Sequence, residues 1–274
     1  MTTLRPTLIG LPYDAGSSFL RGAAQAPPLI RSALVSPASN AWSEAGADTG
    51  APGSLEDAGD LALPPAPAEA RAAIESGIRA LLKRGRSPIA LGGDHSITYP
   101  VLRAVRPFFA GLTVLHFDAH PDLYDEFGRD RFSHACPFSR VMEERLADRL
   151  VQVGIRTANA PQRAQAARYA VEAIDMRAWT SGARPAVSGP VYLSIDLDVL
   201  DPAFAPGVSH REPGGLSVRD VLGVIQALPA PIAGADIVEF NPTQDPLGTT
   251  ASVCAKLVKE ITGRMLETAA VRSP

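Results

Sequence analysis

Three short apolar runs in this chain each end in a cluster of potential metal ligands, aspartate with histidine in the first two and aspartate alone in the third. Residues 91–96 read Leu-Gly-Gly-Asp-His-Ser, residues 116–122 read His-Phe-Asp-Ala-His-Pro-Asp, and residues 194–202 read Ser-Ile-Asp-Leu-Asp-Val-Leu-Asp-Pro. Runs of strand length at 7–12, 88–91, 112–117, 150–155, 190–195 and 232–239 lack the polar alternation of a strand with one wet face. Helical patterns lie between them, at 28–34, 68–84, 99–109, 138–149, 162–170, 217–227 and 249–266. In the second of these Ile74, Ile78, Leu81 and Leu82 share a face, and Ser217 is placed to cap the sixth. Strands alternating with helices build βαβ units, so the expected fold is α/β: three αβα layers around a mainly parallel central sheet. Ligands of such sheets bind at the carboxyl ends of the strands, where all three clusters fall. The chain 1–274 reads as a single domain. Its 36–68 segment, rich in Pro, Gly, Ala and Ser, reads as a surface excursion, because what precedes it is too short to fold alone.

In extended backbone, residues i, i+2 and i+4 point the same way. That puts Asp118, His120 and Asp122 on one side, and likewise Asp196 and Asp198. Crowded carboxylates repel unless a cation sits among them. Two divalent ions meet that need, and a two-metal site is a device for activating water at neutral pH. The donors are His95, His120, Asp118, Asp122, Asp196 and Asp198. Oxygen-rich ligation with two imidazoles suits Mn²⁺ better than Zn²⁺. Taken singly, an Asp-x-Asp is usually a turn, and a His-Ser after Gly-Gly a tight bend. Their joint occurrence at successive strand ends is not explained that way.

A net charge of −3 argues against nucleic acid or an acidic membrane as partner. No run of 18 apolar residues is present, and residues 1–6 lack an apolar signal core, so a cytoplasmic location is expected. Cys136 and Cys254 are far apart, with no CxxC spacing, and read as free thiols.

The motifs at 92–96, 118–122 and 194–202 resemble those of the ureohydrolase family, which includes arginase, agmatinase and guanidino-acid hydrolases. Residues 17–20, 132–135, 150–156, 206–215 and 238–242 are most similar to plant-type arginases. The resemblance implies an arginase-like fold, two Mn²⁺ per chain, and hydrolysis of a small cationic guanidino substrate to urea and an amine. Arginine is the first substrate implied and agmatine the alternative, with another guanidino acid also open. A homo-oligomer, trimer or hexamer, is implied as well.

Residue by residue, the resemblance implies that His95, Asp118, Asp122 and Asp196 hold one metal. Asp118, His120, Asp196 and Asp198 would hold the other, with Asp118 and Asp196 bridging. Asp198 would pass a proton to the leaving nitrogen, Glu239 would pair with the guanidinium, His134 would shuttle protons, and His210 would line the substrate pocket. Gly92, Gly93 and Asp94 read as structural, and His116, by period two, as a neighbour of Asp118. Tyr124 stands where animal-type arginases use an asparagine to hold the amino-acid end of arginine. Arg131, Arg156 and Arg211 are the candidates to meet a substrate carboxylate instead. Metal-dependent amide deacetylases share the fold with a single Zn²⁺, but His95, Asp122 and Asp198 together speak for two metals. A binding protein that had lost catalysis would lack some of these residues; all are present.

Overall fold

A computed structural model describes residues 5–270. Eight strands form one sheet: β1 (Arg5–Gly10), β2 (Glu56–Asp60), β3 (Arg86–Leu91), β4 (Thr113–Phe117), β5 (Arg149–Val153), β6 (Glu172–Ile174), β7 (Val191–Asp196) and β8 (Ile232–Val238). Their order is β2-β1-β3-β8-β7-β4-β5-β6, and every strand pair is parallel. The helices are α1 (Ala26–Leu34), α2 (Pro67–Lys83), α3 (Thr98–Val105), α4 (Pro137–Glu143), α5 (Ala160–Arg168), α6 (Met176–Thr180), α7 (Val218–Ala227) and α8 (Thr249–Ala270).

Alternation along the buried strands divides the core between two layers of helices. On β7, Val191, Leu193 and Ile195 face the cluster built with Ile30 of α1, Ile225 of α7 and Leu257 of α8. Tyr192 faces the opposite cluster, with Ile78 of α2, Leu102 of α3 and Phe138 of α4. This is the expected three-layer arrangement. No helix among the described residues is long and apolar enough to cross a membrane.

The helix starts follow their sequence cues. Ser217 accepts the Asp220 N–H, and Asp220 answers the Ser217 N–H, a reciprocal cap. The pattern at 138–149 overruns: α4 stops at Glu143, and Arg145 turns to φ 54° before β5 begins. Within 36–68 lies an unexpected strand, β2, whose Glu-Asp-Ala-Gly-Asp sequence carries almost no apolar signal. It sits on the sheet edge, where Arg31 pairs with Asp57 and Asp60. The rest of the excursion is tied to α8 and α7, with Lys259 Nζ donating to Ser39 Oγ at 2.6 Å and Arg219 paired to Glu44 at 2.6 Å. Strand β6 and helix α6, of three and five residues, are too short to stand out in the sequence.

Candidate active site

The carboxyl ends of four adjacent strands, β3, β8, β7 and β4, supply the site. At β3, Gly92 N–H donates to Ile237 O at 2.8 Å, and a Cβ on Gly93 would lie 1.7 Å from Tyr13 O. Only glycine permits that approach. It carries the chain across to β8, where the His95 N–H donates to Glu239 Oε1 at 3.0 Å. Asp94 plays a structural part, accepting from the Ser96 N–H at 3.0 Å.

Extended period-two geometry is not what gathers the aspartates. β4 ends at Phe117, and Asp122 reaches inward with φ 49°. Asp198 lies in a 3₁₀ turn, Leu197–Val199, capped by Asp196. Glu239, just past β8, has φ 62°. Left-handed backbone at a non-glycine residue costs about 1–3 kcal/mol, and it persists here at two carboxylates of one site.

The predicted donors converge. His95 Nδ1 lies 3.0 Å from Asp122 Oδ2, 3.2 Å from Asp118 Oδ2 and 3.3 Å from Asp196 Oδ2. His120 Nδ1 lies 2.9 Å from Asp198 Oδ2 and 3.4 Å from Asp118 Oδ1. Asp118 therefore turns one oxygen to each imidazole. Asp196 turns Oδ2 to His95 and spends Oδ1 on the Asp198 N–H at 2.8 Å.

Protons on the outer side of this cluster can be placed. Ser194 Oγ donates to Asp236 Oδ1 at 2.7 Å, so toward His95 Nε2, 3.0 Å away, it accepts. His95 then carries its proton on Nε2 and aims the Nδ1 lone pair at three carboxylate oxygens. Nδ1 is buried and makes no well-formed hydrogen bond. A lone pair facing three oxygens needs positive charge between them, which is the environment of a bound cation. Without a metal that charge is a second proton on Nδ1: burial opposes it, yet the aspartates hold the His95 pKa well above the ordinary range. Burial, with Asp198 and Asp118 adding to it, pushes the Asp196 carboxyl well up, and burial with Asp118 raises Asp198 to about 6. Burial acts the same way on Asp118, but His116, His120 and His95 outweigh it and hold that carboxyl low. The donor set fits divalent metal in two adjoining positions, one by His95 and one by His120.

His116 borders the same space but is committed elsewhere. Gln152 Nε2 donates to Pro121 O at 2.6 Å and to His116 Nδ1 at 3.0 Å, so His116 Nε2–H donates to Asp118 Oδ2 at 2.8 Å. With both nitrogens used, His116 orients Asp118 and keeps no lone pair for a cation. Gln152, His116, Ser194 and Asp236 are register partners across β5, β4, β7 and β8, and they form a buried polar row beneath the donors. Of the four, the sequence singles out only His116.

Glu239 and His134 are joined: His134 Nδ1 lies 2.8 Å from Glu239 Oε1. Since Oε1 also takes the His95 N–H, Oε2 is the oxygen left for another donor. Burial would depress His134, but the Glu239 carboxylate outweighs it and raises the imidazole to about 9. His210 is half-buried beside them, its ring 5.3 Å from His134 and 6.0 Å from His120. Glu212, unforeseen in the sequence, brings Oε1 to 3.6 Å from His120 Nε2.

The three candidate arginines are engaged elsewhere. Arg131 pairs with Asp125 and Glu143, Arg156 donates to the carbonyls of Gly154, Asp198, Val199 and Glu212, and Arg211 donates to Pro206 O and Gln244 Oε1. Tyr124 OH takes a hydrogen bond from Asn159 Nδ2. Cys136 and Cys254 are buried and unpaired.

The model of the Arginase family matches residues 5–263. Arginase 1, mitochondrial, of Arabidopsis thaliana is 44% identical over an alignment of 280 residues that covers 94% of this chain and 80% of the relative. Proclavaminate amidinohydrolase of Streptomyces clavuligerus is 35% identical over an alignment of 277 residues that covers 93% of this chain and 86% of the relative. The solved arginase of Medicago truncatula superposes with a TM-score of 0.88 at 40% identity, covering 96% of this chain and 88% of its own.

Proposed function

From the premise that this chain belongs to the arginase family, we propose that it is an arginase, hydrolysing L-arginine to L-ornithine and urea with two Mn²⁺ bound. The observation that carries the metal reading is His95 Nδ1, a buried lone pair facing three carboxylate oxygens. His95, Asp118, Asp122 and Asp196 would hold one ion, and His120, Asp118, Asp196 and Asp198 the other. Divalent ions there supply Lewis acidity and activate water at neutral pH. Two histidine-centred donor groups favour this over a single-zinc deacetylase. The similarity to plant enzymes named arginase favours arginine over agmatine.

The chain's own residues perform the rest. Glu239 offers Oε2 to a guanidinium N–H, a charge-assisted bond in a buried setting. Its partner His134 takes up and returns protons at Nε2, while Asp198 passes a proton to the leaving nitrogen. A urea-release assay with Mn²⁺-loaded protein across arginine, agmatine, guanidinobutyrate and guanidinopropionate tests the substrate. Arginine is expected to give the highest kcat/KM; agmatine in that place would make the protein an agmatinase.

His134→Asn should lower kcat by about 10²-fold or more with little change in KM or metal content, since general acid–base help contributes about 10²–10⁴. Below its pKa, His134 already carries the second proton and cannot accept another. Activity in the wild-type protein should therefore rise with pH along a limb centred no higher than about 9. That limb should be lost in His134→Asn. An unchanged pH–rate profile in the variant would show that His134 only packs its loop.

A further inference from the structure

We propose that Ser18 is the solvent-side partner of His134: it fixes the imidazole with its Nε2 lone pair outward and relays protons between that nitrogen and water. This rests on the acid–base reading of His134 given above. The Ser18 backbone N–H donates to His134 Nε2 at 3.2 Å, and Ser18 Oγ lies 2.9 Å from the same nitrogen. A backbone amide can only donate, so Nε2 presents a lone pair and the ring proton is on Nδ1. That proton is donated to Glu239 Oε1 at 2.8 Å. Both ring nitrogens are thereby assigned, and the outer one faces a hydroxyl. His134 is itself buried, whereas Ser18 is exposed, so Ser18 is the member of this pair on the solvent side.

The segment carrying Ser18 is anchored on both sides. Before it, Gly16 O accepts the His134 N–H at 3.2 Å and Ser17 Oγ donates to Asp94 Oδ2 at 3.3 Å. After it, Leu20 O accepts from Ser209 Oγ at 2.7 Å and from Asn241 Nδ2 at 2.8 Å. Ser18 is thus held against the ring by four loops of the site, two residues or fewer from each tie.

The step balances simply. A hydronium or buffer acid gives a proton to Ser18 Oγ as the serine's own proton passes to Nε2. The donor's bond to its proton and one serine O–H bond break, a new serine O–H and one N–H form, and the donor leaves as water or the buffer's conjugate base. The imidazolium is balanced by the Glu239 carboxylate, and the reverse step returns the proton.

The test is Ser18→Ala in the full-length, Mn²⁺-loaded protein, assayed with arginine at fixed pH and ionic strength over a series of imidazole buffer concentrations. At low buffer kcat is expected to fall about tenfold, less than loss of the histidine itself, with KM within about twofold. Rising imidazole should restore it, and Ser18→Thr, which keeps the hydroxyl, should need no restoring. In the metal-free wild-type chain, ¹⁵N NMR should find the His134 proton on Nδ1. A normal kcat for Ser18→Ala at low buffer, a loss that imidazole does not repair, or a neutral ring protonated on Nε2 would each overturn the proposal. A His134→Asn variant with normal turnover would instead remove the reading beneath it.

Discussion

Asp118→Asn should yield a folded protein that holds little metal and has lost turnover by at least about 10³-fold, more than a single transition-state donor is worth. Asp118 alone turns an oxygen toward both His95 and His120, at 3.2 Å and 3.4 Å. It also accepts from His116 Nε2 at 2.8 Å and from the His120 N–H at 2.5 Å. Asparagine keeps the shape and one oxygen but replaces the other with an amide donor. Whichever side that donor takes, it meets the His116 Nε2–H or the His120 N–H and one of those bonds is lost, a cost that the relief of charge crowding offsets only in part, so the metal-free variant should melt slightly below the metal-free parent. Removing a charge from a crowded buried cluster relieves repulsion there. Elemental analysis after Mn²⁺ loading, alongside thermal melts of both metal-free proteins, checks this. A variant that kept two ions and normal turnover would sink the assignment of Asp118 as the shared ligand.

Glu239→Gln is expected to lower kcat/KM by at least about 10²-fold while leaving metal content intact, since losing a charge-assisted partner in a dry site costs about 2–4 kcal/mol. Oε1 is occupied by the His95 N–H and His134 Nδ1, and a glutamine oxygen can keep both bonds. The amide nitrogen then takes the place of Oε2 and points donors at a guanidinium that has only donors to offer. His134 loses its countercharge as well, so its raised pKa should fall toward the ordinary range. Near-normal activity would mean that the guanidinium is held elsewhere. Loss of a metal would mean that the Glu239–His95 bond supports ligation directly.

The donors were legible because each follows an apolar run and because strand ends are where such sheets bind ligands. Their convergence was not. Asp122 and Asp198 arrive through a left-handed residue and a 3₁₀ turn, which no periodicity announces. Gln152, Ser194 and Asp236 are single polar residues inside apolar runs, and only the strand register aligns them under the site. Ser18 meets His134 across 116 positions of chain. Strand β2 was hidden because an edge strand buried on neither face needs no apolar pattern. For the substrate tail, the sequence offered Arg131, Arg156 and Arg211, and the structure employs all three in holding loops together.

The strand order also fixes when the site can come into being. Through β6 the chain can pair only two separate trios, β2-β1-β3 and β4-β5-β6. His95 belongs to one trio and Asp118, His120 and Asp122 to the other, and the gap between them is two strands wide. β7 and β8, residues 191–238, fill that gap last and bring Asp196, Asp198 and Glu239 with them. A chain released before residue 191 would hold more than half of the proposed ligands and no centre, with two open sheet edges facing each other. Pairing of such sequence-distant strands is slow and exposes those edges while it waits. Metal capture is therefore an event of late folding, and the seam that performs the chemistry is also the seam on which the two halves of the sheet are joined.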